Sequence, residues 1–164
     1  MKTLVIIRHA KSSWDNSQLD DYERPLNKRG LKSAPVMAKV LSKLISKPDL
    51  IISSYAKRAL TTAEFFAEEF NYSKDEIQIE EQLYMCSPQT ILDLLKSLNN
   101  NLNTVLLFGH NPELTSFCNK INNHSIDNMP TCAMYGIKFE TNSWNEIDFG
   151  KGKFGFFEYP KKHL

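Results

Sequence analysis

The sequence predicts an α/β fold: a three-layer sandwich with a mainly parallel sheet, helices on both of its faces and an antiparallel hairpin at the C-terminal end. Three observations lead there. Runs such as "LVII", "DLII" and "TVLLF" hold branched apolar residues without alternation, the pattern of strands covered on both faces. Each run then passes through a polar turn carrying Arg or His into a segment of helical period, and strands alternating with helices build a parallel sheet. Toward the C-terminus the pattern changes to alternating apolar and polar residues, as in "AMYGIKFE", which suits a half-exposed edge strand.

In chain order, Leu4 to Ile7 form the first strand and run directly into Arg8 and His9. From Asn27 to about Ile45, the spacing of Leu31, Ala34, Ala38, Leu41 and Ile45 is helical. Pro35 falls inside that span and should either kink the helix or mark its true first turn. The second strand precedes "SSYAKRA", after which Ala59, Ala63, Phe66, Ala67 and Phe70 share one stripe of a helix over 57–70. A short strand is expected near 77–80, and Ser87 is placed to cap a helix over 88–98. The third long strand ends at "FGHNPEL", where Asn111, Pro112 and Glu113 read as cap, first helical position and acidic first turn. The C-terminal hairpin is expected to pair "AMYGIKFE" with "WNEIDF" across "TNS", with Phe154, Phe156 and Phe157 packing in a final strand. Residues 1–164 read as a single domain without repeat or linker.

Composition narrows the function classes. With 41% hydrophobic and 24% charged residues the chain is that of a globular protein large enough to bury roughly 70% of its unfolded surface. A formal net charge of +1 gives no long-range field to steer nucleic acid or a membrane surface. The three cysteines, Cys86, Cys118 and Cys132, form no C-x-x-C pair and read as reduced core residues. The N-terminal apolar run is far shorter than the roughly 20 residues of a membrane span, so a cytoplasmic protein is expected. His124 and His163 have no neighbours at ligand spacing, and no metal or other cofactor is expected. "GKGKFG" follows no buried strand and opens no helix, so it reads as a turn and not as a phosphate loop.

Ligands of open parallel sheets bind beyond the carboxyl ends of the strands. Arg8 and His9 follow the first long strand, Arg58 the second and His110 the third, so two guanidiniums and two imidazoles converge on that edge. Such a group suits a tetrahedral oxyanion, phosphate above all. Imidazole is an apt nucleophile there because its ordinary pKa near 6.5 leaves it mostly neutral at pH 7, and nearby guanidiniums disfavour its cation. Uptake of a proton near pH 6.5 is then the expected acid limit of its reactivity.

The motifs "RHAKSSW", "ERPLNKRG", "PDLIISSYAKRALTTAE" and "LFGHNPEL" resemble, in order and spacing, those of the histidine phosphatase (phosphoglycerate mutase-like) superfamily. They are most similar to its short phosphohistidine phosphatase, SixA-like branch. The resemblance implies that His9 is the nucleophile, that Arg8 and Arg58 bind the phosphoryl oxygens, and that His110 completes the catalytic set. Asp21 and Arg24 of "DDYERPL" match positions that line the site. Lys11, Ser12 and Trp14 are further candidates for substrate contact, packing of their loop on its own domain being an equal reading. Ala10 stands where most of the superfamily has Gly, and Tyr55 where many members have Pro. Other branches carry a glutamate acid in an insertion for which this chain has only "EQLYMCS"; Glu80 and Glu81 there read as solvated surface charges, and so short a connection supplies no lid.

The expectation is therefore a metal-independent, monomeric phosphatase working through a covalent phosphohistidine, acting on phosphorylated protein histidine. A small-molecule phosphomonoesterase or phosphotransferase of the same superfamily, and a non-catalytic phospho-recognition module, are the alternatives.

Overall fold

The computed structural model describes residues 1–164. Six strands form one sheet: β1 (Lys2–Arg8), β2 (Leu50–Ser53), β3 (Gln78–Ile79), β4 (Thr104–Gly109), β5 (Met134–Phe139) and β6 (Lys153–Glu158). Their spatial order is β3-β2-β4-β1-β5-β6, with the first four parallel and β5 and β6 antiparallel to their neighbours. Four α-helices cover it: α1 (Lys28–Ser42), α2 (Lys57–Glu69), α3 (Pro88–Lys96) and α4 (Glu113–Ile121).

The unalternating apolar runs are explained by two cores. Val5, Ile7, Ile51, Leu106 and Phe108 face α1 and α2, packing with Ala34, Met37, Ala38, Leu41, Ala63 and Phe66. Leu4, Ile6, Ile52, Val105 and Leu107 face the other way, against Ile91 and Leu95 of α3 and Leu114, Phe117 and Ile121 of α4. The β1 strand is held at its start by Lys2, whose ammonium donates to the carbonyls of Asn100 (2.5 Å) and Leu102 (3.0 Å) and to Asn103 Oδ1 (3.0 Å). Three acceptors thus meet the three donors of an otherwise buried cation.

Three local expectations are corrected. The α1 helix begins at Lys28, capped by the Asn27 side chain on Gly30 N, and runs through Pro35. Burying Met37 and Leu41, at about 1.5–3 kcal/mol each, with Ala34 and Ala38 beside them, offsets a proline cost of about 3 kcal/mol. Leu31 falls outside that stripe and is 48% exposed. The partner of β5 is not "WNEIDF" but β6. Residues 144–146 instead form a 3-10 turn that buries Trp144, whose indole N–H donates to Leu102 O at 2.7 Å. An indole satisfied in this way belongs to the core and not to an edge strand. Pro112 also precedes α4 and is not its first helical residue; the Asn111 side chain accepts from Thr115 N.

Helix α1 starts against the chain that leaves β1. Asn27 N donates to Lys11 O at 2.9 Å, and a Cβ added at Gly30 would lie 2.2 Å from that same oxygen. Helix propensity alone favours Gly30→Ala by up to about 1 kcal/mol, but the clash is with backbone and cannot be relieved by a rotamer. G30A is therefore expected to lose about 1–3 kcal/mol in urea unfolding; a gain would show that the 9–13 segment yields freely.

Candidate active site

Strands β2, β4 and β1 are adjacent and parallel, so they end along one edge. The chain leaves β1 toward α1 on one face and β4 toward α4 on the other, which opens a crevice between those ends. Arg8 is paired with Gly109 in register, and His9 N donates to Gly109 O at 3.1 Å. The two residues that follow the pair, His9 and His110, emerge side by side with ring centroids 5.3 Å apart. Ser54 N donates to Phe108 O at 3.1 Å and brings the start of α2 alongside.

Each side chain at this edge is held by specific partners. His9 Nδ1 lies 2.7 Å from Ala10 O. A carbonyl only accepts, so Nδ1 carries the hydrogen and Nε2 the lone pair. Ala10 N donates to Thr62 Oγ1 (3.0 Å), which in turn donates to Arg58 O (2.7 Å). The histidine loop and the first turn of α2 are thereby tied together. Arg8 Nη1 donates to Met129 O at 2.9 Å, and His110 Nε2 lies 2.8 Å from Ser54 Oγ. Arg8 Nε, Arg58 Nε and His110 Nδ1 are buried nitrogens with no partner in the protein.

Asp21 organises the opposite wall. Its carboxylate accepts from Arg58 Nη2 (2.9 Å), Arg24 Nε (3.0 Å) and the Tyr84 hydroxyl, while its backbone carbonyl accepts from Arg58 Nη1 (2.7 Å). Arg24 also donates to Ser12 Oγ (2.8 Å) and Ser13 O (3.1 Å), and the Trp14 ring lies 3.5 Å from its guanidinium carbon. Tyr22, Tyr55, Tyr84 and His110 form a line of rings, each 5.4 Å from the next.

A sequence model of the histidine phosphatase superfamily, branch 1, matches residues 4–84, the span that carries Arg8, His9, Asp21, Arg24 and Arg58. Over that span the chain is similar to the histidine phosphatase superfamily. An uncharacterized chloroplastic protein of Arabidopsis thaliana is 29% identical over 88% of this chain and 70% of its own length. The fold is that of SixA: the protein histidine phosphatase SixA in complex with tungstate superposes with a TM-score of 0.81 at 20% identity, covering 98% of each chain. A SixA-type protein from Agrobacterium tumefaciens gives 0.80 at 23% identity, over 97% of this chain and 98% of the other.

The sequence-predicted residues fall into two groups. Arg8, His9, Arg58 and His110 meet at the strand ends, with Asp21 and Arg24 against them. Ser12 is buried and its hydroxyl accepts from Arg24. Lys11 is exposed and shares a depression with Arg29 and Lys32 on the α1 side. Glu80 accepts from Gln78 and Gln82, and Glu81 is exposed. Sequence reasoning missed Tyr84, Ser54 and Thr62. Tyr84 lies within "EQLYMCS", a stretch searched only for an acid, and the next residue, Met85, adopts a left-handed φ of 57°.

Burial pushes both imidazoles down to about 3. The Ala10 carbonyl opposes this at His9, where His110, Arg58 and Arg8 reinforce it; Arg58 reinforces it at His110. The expected acid limit at pH 6.5 is thus corrected: a water-accessible imidazole would titrate there, but a desolvated one beside guanidiniums does not. Burial alone would raise the Asp21 carboxyl, yet hydrogen bonds from Tyr84, Arg58 and Arg24 hold it at about 2. In the unfolded chain His9 and His110 take up protons from about pH 6.5 downward, whereas in the folded protein these two do so only near 3. Stability should therefore be full above pH 6.5 and fall between 6.5 and 3, by at most about 1.4 kcal/mol per pH unit for each imidazole. Imidazole proton resonances of His9 and His110 that titrate near 6.5 in the folded protein would contradict this.

Proposed function

We propose that the chain is a metal-independent phosphatase that forms a covalent phosphohistidine on His9 and acts on phosphorylated histidine of proteins. One observation carries the reading. A neutral imidazole with its Nε2 lone pair free lies 5.3 Å from the His110 ring, at an edge where Arg8 Nε, Arg58 Nε and His110 Nδ1 are buried without a partner in the protein. Three donors suit the three equatorial oxygens of a phosphoryl group in flight.

In the proposed mechanism His9 Nε2 attacks phosphorus in line with the leaving group. Arg8 and Arg58 neutralise charge on the phosphoryl oxygens, and His110 donates a hydrogen bond to one of them. Asp21 keeps the Arg58 terminal nitrogens committed, so the guanidinium is aimed before substrate arrives. Water then attacks the phosphohistidine, the P–N bond to His9 breaks, and inorganic phosphate departs.

The substrate class follows from the acids near the site. Asp21, at about 2, is ionised at pH 7, and Glu80 and Glu81 serve the surface. An alkyl phosphate must expel a strongly basic oxygen, for which a positioned acid is worth about 10²- to 10⁴-fold. Phosphohistidine departs as imidazole and takes its proton from solvent. The SixA protein that shares this fold is named as a protein histidine phosphatase and was captured with tungstate, a tetrahedral oxyanion, which supports the same reading.

Incubation with a labelled aryl phosphate in EDTA should leave acid-labile, alkali-stable label on the wild-type chain. His9→Ala should lose both label and turnover, and Arg58→Ala or His110→Ala should slow phosphorylation by roughly 10²-fold or more. Turnover without label would remove the covalent step, and phosphate binding without either would leave a recognition module. Across substrates, phosphohistidine proteins and aryl phosphates should be hydrolysed well and sugar phosphates poorly; equal kcat/KM for an alkyl phosphate and a phosphohistidine protein would overturn the substrate class.

A further inference from the structure

Ser54 opens the turn after β2 and is fully buried. Its hydroxyl has two partners: Ala56 N donates to Oγ at 3.2 Å, and Oγ lies 2.8 Å from His110 Nε2. The direction of the second bond follows from counting protons. If Nε2–H donated to Ser54, the hydroxyl would accept twice, its own hydrogen would have no acceptor, and the lone pair would fall on the unpartnered Nδ1. If Ser54 donates to Nε2, both bonds are made, every proton of the serine is used, and the only unpaired group is an Nδ1–H. Buried hydrogen-bonding groups left unmade are costly, and the second arrangement leaves fewer.

We infer that Ser54 is a positioning residue that fixes His110 as its Nδ1–H tautomer, turning an imidazole that could present either a donor or an acceptor into a donor to the phosphoryl group. The alternative tautomer would aim a lone pair at an anion, which is repulsive. The same logic holds His9 in its own state, since the Ala10 carbonyl places the hydrogen on Nδ1 there as well. A carbonyl fixes one ring and a hydroxyl the other. Both rings therefore have Nδ1–H, yet with opposite use: the free atom is a lone pair on His9 Nε2 and a donor on His110 Nδ1. Burial keeps His110 from evading the choice by taking a second proton.

The inference rests on the phosphatase reading only for its purpose, and its test is separate. Long-range imidazole ¹H–¹⁵N correlation spectra of the resting wild-type protein at pH 7 should show His110 protonated at Nδ1 and bare at Nε2. Adding inorganic phosphate should move that Nδ1–H resonance downfield without protonating Nε2. Ser54→Ala should shift His110 toward the Nε2–H form and slow phosphorylation about tenfold, the scale of one hydrogen bond. A wild-type His110 protonated at Nε2 overturns the assignment even in an active enzyme, as does an S54A spectrum with its tautomer unchanged. A protein that hydrolyses nothing yet shows Nδ1–H, responsive to phosphate and lost in S54A, supports it. A wild-type Nδ1–H that phosphate does not move overturns the role as a phosphoryl donor, whether or not S54A folds.

Discussion

The parallel pairing of β1 with β4 in one register is the constraint on which the rest of this molecule depends. It sets Arg8 opposite Gly109 and hence His9 beside His110. Both strands are sealed on both faces, and Leu4, Val5, Ile6 and Ile7 have no exposure. At about 1.5–3 kcal/mol each, their burial is comparable to the whole stability of an ordinary domain. A slip of one residue would part Arg8 from Gly109 and set His9 out of line with His110. Lys2 guards the other end, because its ammonium meets three acceptors in one position only. The geometry of the two imidazoles is thus fixed by hydrophobic packing and one buried cation, both remote from the chemistry.

Around this frame the site is a balance of desolvation against pairing. Arginine tolerates burial because its charge is delocalised and its fork fits a carboxylate, and Asp21 supplies that carboxylate to Arg58 and Arg24 at once. Histidine responds differently. It can shed its proton, and under burial beside two guanidiniums it does so. Burial thus disfavours charge on both kinds of side chain, and the imidazoles yield to it as neutral bases while the guanidiniums resist, a division of labour that would suit a phosphoryl pocket. The rim, by contrast, is aromatic, with Tyr22, Tyr55 and Tyr84 stepping outward from His110.

Several residues matter through what they hold in place. Thr62 joins the His9 loop to Arg58, and Ser12 braces Arg24. Gly30 lets α1 start against Lys11 O, closing the loop that carries Asp21. These contacts are short, buried and polar. Each spends a hydrogen bond to fix one orientation, the use to which buried polar groups are best put.

What the sequence determined by itself was the architecture and the nominal site. Unalternating apolar runs state that a strand is covered twice, and an Arg or His placed directly after such a run must lie at the sheet's carboxyl edge; Arg8, His9 and His110 were legible for that reason, and Arg58 because the short turn after β2 keeps the start of α2 at the same edge. Local signals failed where a long-range contact decided the outcome. "WNEIDF" has the apolar content of a strand, but Trp144 is drawn into the core by Leu102, 42 residues away. Tyr84, Ser54 and Thr62 carry no signature of their own, since a hydroxyl gains meaning only from the partner opposite it. The protonation states belong to the same class. Whether an imidazole is charged, and on which nitrogen its hydrogen sits, depends on burial and on the direction of hydrogen bonds, and these exist only once distant segments have packed together.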